Sequence, residues 1–226
     1  NGKNFPVYAL EENFDKQLIA NNKLREGLVF QFEPINKLGN YKYNELMYSN
    51  IKPYAINSVS KNEILSRQFE RTISLIQLFR TGTIQLNEVF DLKKLAKYFA
   101  IVELMGHHHS TSLTNIRFYY NPLTSLIEPV GYDNDGIYPI HLVGVDGQNR
   151  LINLNSQRKN IHWYQTLFND VDFFSTYLQE LNRISKKSFL DKFFSISEKD
   201  ILDKTRILHK SYPWYSFEGE KIMYEN

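Results

Sequence analysis

Leu65, Phe69, Ile73, Ile76 and Phe79 recur at three- and four-residue spacing, and that stripe predicts a long helix. Ser60 and Glu63 read as its capping box, and Gly82 stands where a left-handed terminating residue is wanted. Asp91 predicts the cap of a second helix, whose Leu92, Leu95, Ala96, Phe99 and Val102 form another apolar face that ends at Gly106. Residues 28–32 are rich in strand formers and are closed by Pro34 and Gly39. Residues 116–120 and 126–130 predict two more strands joined through the Asn121-Pro122 turn as a short hairpin. The polar loops 107–115 and 131–136 leave that hairpin at one end, so they converge. Residues 11–22 predict a helix with Phe14, Leu18 and Ile19 on one side, 5–9 a short extended piece, and 36–59 an irregular connection. Aromatic-rich patterns around Trp163, Phe168, Phe173, Tyr177 and Leu181, then at 189–194 and 201–208, predict three or more helices.

The 226 residues, 42% apolar and 23% charged, suffice for one good-sized folded unit and exclude disorder and fibrous classes. With 27 Lys and Arg against 25 Asp and Glu, the net charge of +2 excludes a nucleic-acid partner recognised by charge alone. No cysteine is present, which removes thiol nucleophiles, thiolate metal sites and disulfides. Apolar runs such as 98–102 fall far short of the roughly 20 residues a membrane helix needs, so no transmembrane segment is expected. The first residues, Asn1-Gly-Lys-Asn-Phe-Pro6, carry neither an initiator Met nor a signal-like run, so the chain is expected to be an excised or processed segment.

Candidate chemistry concentrates in the two converging loops. Asp133 and Asp135 lie between Gly131 and Gly136, and alternating carboxylates of this kind suit hard cations, with Asn115 able to add a carbonyl oxygen. The same residues are also what an ordinary turn selects. An EF-hand is excluded, because no Glu closes the loop and Tyr138-Pro139 breaks the helix that must follow. Neighbouring imidazoles on an extended loop point to alternate sides, so at most two of His107, His108 and His109 can share one ion, and fixing the loop by hydrogen bonds is the simpler role. A Ser–His–Asp hydrolase drawn from Ser110, a His and Asp133 lacks the strand–Gly-x-Ser-x-Gly–helix elbow.

The runs Phe90-Asp-Leu-Lys-Lys-Leu-Ala-Lys-Tyr-Phe-Ala100, Leu104-Met-Gly-His-His-His-Ser-Thr-Ser-Leu-Thr-Asn-Ile-Arg-Phe-Tyr-Tyr-Asn-Pro-Leu-Thr124 and Leu126-Ile-Glu-Pro-Val-Gly-Tyr-Asp133 resemble the CotH kinase family in its bacterial branch. Val7-Tyr-Ala-Leu-Glu-Glu-Asn-Phe-Asp15 and Asn21-Asn-Lys-Leu-Arg-Glu-Gly27 are similar to the family's earlier segment, so the likeness covers most of residues 5 to 135. The resemblance implies a single α+β unit of protein-kinase-like fold. Residues 1–45 would be a small-lobe remnant, and 46–226 a mostly helical large lobe holding the short hairpin and the 107–136 loops. It implies an ATP-dependent phosphotransferase with Mg²⁺, or Ca²⁺ or Mn²⁺, held by Asn115, Asp133 and Asp135. Asn115 and Asp133 would thus bind the nucleotide through metal, joined by Glu11 or Glu12 as the carboxylate that pairs with a small-lobe Lys. The loop Asp of the kinase pattern falls on Ser110, and the resemblance puts a His one position earlier, so His109 is either the candidate base, with Asp135 assisting, or a residue that orients the loop without doing chemistry. No segment before Glu11 is long enough for that Lys and a phosphate-covering loop, so part of the small lobe is expected to be missing. Arg25 either contacts phosphate or stays solvated. Partners implied are a protein substrate or, for a catalytically inactive kinase-shaped binding module, a surface or coat assembly in an exported or cell-surface setting. A structural Ca²⁺-binding domain is the remaining alternative.

Overall fold

The computed structural model describes residues 7, 12–34, 46–144 and 163–226. Helix and sheet are mixed. Strands β1 (Val29–Pro34), β2 (Ser49–Pro53), β3 (Arg117–Asn121) and β4 (Leu126–Val130) form one antiparallel sheet in the order β2-β1-β3-β4. Helices α1 (Lys16–Asn21), α2 (Ile56–Lys61), α3 (Glu63–Arg80), α4 (Leu92–Met105), α5 (Trp163–Phe168), α6 (Val171–Ile184), α7 (Lys187–His209) and α8 (Gly219–Glu225) supply the rest.

Successive side chains of β3 point to opposite faces, and both faces are covered. Phe118 and Tyr120 join Phe30, Phe32 and Ile127 in the main core, whereas Tyr119 packs with Ile19 of α1, Val29, Phe14 and Tyr54 on the other side. The whole of β3 is therefore buried, and the hairpin is held from above and below. Helices α4 and α6 pack against each other around Phe99, whose ring meets Trp163, Tyr164, Phe168 and Phe173 at centroid separations of 5.4 to 6.0 Å. Edge-on ring pairs of this kind add stabilisation beyond the area that they bury.

Helix α4 follows the sequence closely. Asp91 Oδ1 accepts from the Lys94 amide at 3.0 Å, every residue of the expected apolar face is buried, and Gly106 ends the helix at φ 65°. Several other expectations are corrected. Residues 12–15 are not helical, and α1 begins after Asp15, whose carboxylate takes the Gln17 amide. The described part of 36–59 contains β2 and the start of α2 rather than irregular chain. Residues 189–194 and 201–208 belong to the single helix α7, because no Gly or Pro interrupts them. The extended piece at 5–9 lies, Val7 apart, outside the described residues, as do Glu11 and Gly39.

The capping box at Ser60 is also overturned. Ser60 lies inside α2 and its hydroxyl donates to the Asn57 carbonyl, while Asn62, in extended geometry between α2 and α3, accepts from the amides of Ile64 and Leu65. A Ser in a helix returns its hydroxyl to its own backbone, so the first non-helical residue takes the cap. Ile73, expected inside, is 43% exposed, and Gln68, Thr72, Leu75 and Ile76 line the inner face of α3. Asn62→Ala is expected to lose about 1 kcal/mol in urea unfolding and Ser60→Ala less than about 0.5 kcal/mol. Equal losses would return the cap to Ser60.

Candidate functional site

The site is built at the open end of the β3–β4 hairpin. The register sets Arg117 opposite Val130, so Asn115 lies just before one strand and Asp133 just after the other. Asn115 Nδ2 donates to Asp133 Oδ2 at 3.0 Å and to the His109 carbonyl at 3.2 Å. Its Oδ1 has no partner among the described residues. Asp133 adopts φ 57°, a left-handed conformation that Asp and Asn tolerate better than most residues, and this turns its carboxylate back toward the other loop.

His107, His108 and His109 begin a 3-10 turn at His108–Thr111, and each ring goes to a different carboxylate. His107 Nε2 meets Asp135 Oδ1 at 2.8 Å, with its ring stacked on Tyr138 at 5.2 Å. His108 Nε2 meets the buried Glu103 at 3.2 Å. His109 is 66% exposed, with Nε2 3.5 Å from Asp133 Oδ2, an ion-pair distance rather than a hydrogen bond. The expectation that imidazoles hold the loop is met by His107 and His108. Among the described residues, no three His, Asp or Glu side chains gather as a metal-holding group. The structure thus brings Asn115, Asp133 and His109 together and sends Asp135 to His107. Glu12 is exposed and accepts from Asn21 Nδ2, and Arg25 is exposed.

Ser110 is fully buried, and its hydroxyl donates to the His107 carbonyl at 2.9 Å. Three further residues hold the two loops in place, and the sequence reading did not single them out. Tyr98 of α4 donates to the Ser110 carbonyl at 3.0 Å, which ties the first loop to that helix. Burial pushes the Tyr98 phenol up from its ordinary value, which keeps it a donor. Glu103, inside the apolar stripe of α4, takes His108, Tyr177 and the Gly144 amide. Arg117 donates through Nη1 to the carbonyls of Thr114 and Asn115. The available signal was a charged or phenolic residue inside an otherwise apolar run. Beside the site an open groove of about 380 Å³ is lined by Met105, Asp135, Ile137, Tyr215, Phe217 and Glu218.

Asp133 and Asn115 carry hard oxygen donors of the kind a divalent cation takes, and in this structure Asn115 turns its Nδ2 rather than its Oδ1 to Asp133. Mg²⁺ takes hard oxygen ligands, one or two from protein and the remainder from phosphates and water, and the Asp133 carboxylate with the Asn115 carbonyl oxygen supplies two. No described helix is long and apolar enough to cross a membrane. No curated protein matches the chain. The family described as CotH kinase protein matches residues 1–221. That span takes in every motif from which the resemblance was read and the loops that close on Asn115 and Asp133, and the chain belongs to the CotH kinase protein family.

Proposed function

We propose that the chain is an atypical phosphotransferase of protein-kinase-like fold that uses ATP and a divalent cation and acts on protein hydroxyls. The observation that carries this reading is the Asn115–Asp133 contact, in which Asn115 Nδ2 donates to Asp133 Oδ2 at 3.0 Å and so joins an amide and a carboxylate from separate loops. A bound cation there would neutralise charge on the transferred phosphate. Asn115 would rotate its free Oδ1 onto the cation, and Asp135 would assist from the same loop as Asp133. His109, the exposed imidazole beside Asp133, would take the proton released as an acceptor hydroxyl attacks phosphorus and the bond to the leaving oxygen breaks. Family membership supports a kinase-like activity.

A second reading, a catalytically inactive kinase-shaped binding module in a surface or coat assembly, is favoured by Ser110. At the position where a kinase loop carries its proton-accepting Asp stands a hydroxyl with no exposure. Calorimetric titration of ATP with and without Mg²⁺ tests the metal site, beside Asp133→Asn, a change that keeps a residue tolerant of the left-handed backbone. The expected result is Mg²⁺-dependent binding that weakens by about 100-fold in the variant, since losing even an outer-shell partner costs 10- to 100-fold. No binding, or binding indifferent to the substitution, would overturn the phosphotransferase. Binding without phosphate transfer to any protein acceptor, unchanged in His109→Ala, would favour the module.

A further inference from the structure

Arg117 is 7% exposed, and among the described residues no carboxylate pairs with it. A buried cation without a counter-ion is costly, so what holds it there calls for a reason. Its Nε is buried without a hydrogen-bond partner. Its Nη1 donates to the carbonyls of Thr114 at 2.6 Å and Asn115 at 3.0 Å, with Ile116 at 3.4 Å. Its guanidinium lies 4.0 Å from the centre of the Tyr132 ring, and the rings of Phe14 and Tyr54 lie 5.8 Å away. Tyr54 donates to Gln31 at 2.6 Å. Carbonyl dipoles and aromatic faces therefore take the place of a counter-ion.

Those contacts fall on both sides of the candidate metal site. The carbonyls that Arg117 pins belong to Asn115 and its neighbours, and the ring that it faces belongs to the residue before Asp133. We infer that Arg117 is a positioning residue that fixes Asn115 and Asp133 relative to each other. It clamps one loop through backbone carbonyls and the other through the face of Tyr132. The inference rests on the proposed metal and nucleotide site and adds a residue that makes no contact with the ligand. Lysine cannot replace it, because the planar fork offers several donors and a flat face at once, whereas an ammonium is a compact point charge. The aromatic lid over the guanidinium includes Phe14, whose ring meets Tyr132 edge-on at 5.4 Å, so the segment leading into α1 is seated on the same clamp.

The test uses the full chain with Arg117→Lys, Tyr132→Phe and Tyr132→Leu, with two readouts. Calorimetric titration of Mn²⁺ with ATP reads the site, and amide hydrogen exchange over residues 112–116 and 131–134 reads the clamp without any ligand. Expected are a 10- to 100-fold weaker affinity for Arg117→Lys and Tyr132→Leu, faster exchange in both loops together, and exchange in β1 and β2 as in the parent. Tyr132→Phe keeps an aromatic face and is expected to stay within about threefold of the parent. Loop exchange unchanged in Arg117→Lys, or Tyr132→Leu indistinguishable from Tyr132→Phe, would overturn the inference. If the parent binds no Mn²⁺ and ATP, the phosphotransferase reading falls while the exchange data still decide the clamp. Should Arg117→Lys fail to fold, the Tyr132 pair decides it.

Discussion

Gly106→Ala is expected to cost roughly 3 kcal/mol or more of stability, far above the usual penalty for a glycine in a left-handed turn. Gly106 sits at φ 65° directly after α4, and the His107 amide reaches back to the Val102 carbonyl while its own amide reaches Glu103. This is the Schellman arrangement, which about 1 kcal/mol of left-handed strain would weaken. The larger effect is steric. A Cβ at Gly106 would stand 2.2 Å from the Tyr138 carbonyl oxygen and 2.9 Å from its carbon. That carbonyl cannot retreat cheaply, because the Tyr138 amide donates to Met105 at 2.8 Å and the carbonyl itself accepts from Asn226 Nδ2 at 3.0 Å. Gly82 is the control, at φ 73° in the same helix-ending geometry with nothing within 4 Å of its would-be Cβ. Gly82→Ala is expected to lose only about 1 kcal/mol. Urea unfolding of both variants decides the matter, and equal losses would show that the approach of Tyr138 is not what demands Gly106.

Glu103→Ala is expected to cost about 3 to 5 kcal/mol, the range for removing one member of a buried, hydrogen-bonded charged network. Glu103 is 4% exposed. Its Oε1 takes His108 Nε2 at 3.2 Å and the Gly144 amide at 3.1 Å, and its Oε2 takes Tyr177 at 3.0 Å. Truncation leaves the buried His108 and Tyr177 donors and the part-buried Gly144 amide without their acceptor, and opens a cavity between α4 and α6. Burial and the neighbouring carboxylate push the Tyr177 phenol far up, which keeps it a donor. Glu103→Gln keeps one acceptor oxygen and is expected to lose about 1 to 3 kcal/mol, its amide hydrogens facing another donor. Thermal unfolding should rank the parent above Gln and Gln above Ala. An alanine variant within 1 kcal/mol of the parent would remove Glu103 as the joint between α4, α6 and the His108 turn.

Both residues show where the sequence was legible. Gly106 stood out because a glycine after an amphipathic stripe has one common reason to be there, a left-handed helix end, and the structure confirms it. What Gly106 also does, admitting Tyr138, depends on a segment 32 positions away and had no local signature. Glu103 was silent, since a carboxylate within a helical stripe reads as an exposed position until its partners from α6 and the segment around Gly144 are in place. Ile73 misled for the same reason, whereas Ser60 misled because its hydroxyl turns back onto the Asn57 carbonyl within α2. Periodicity says which side of a helix is apolar, and only the packing of α3 against the core decides which residues of that side are covered.

The sequence by itself determined the hairpin, the α4 helix with its two caps, the meeting of the two polar loops and the family to which the chain belongs. The family rests on the resemblance of the quoted runs, and the rest on local propensity, turn chemistry and register, all of which act over a few residues. Only the tertiary structure decided that the three histidines go to three different carboxylates, that Ser110 is sealed inside, and that Arg117 lies among aromatic rings between Asn115 and Asp133. A side chain's partner is set by what the fold brings within about 3 Å of it, and most of those partners come from elements distant in the chain.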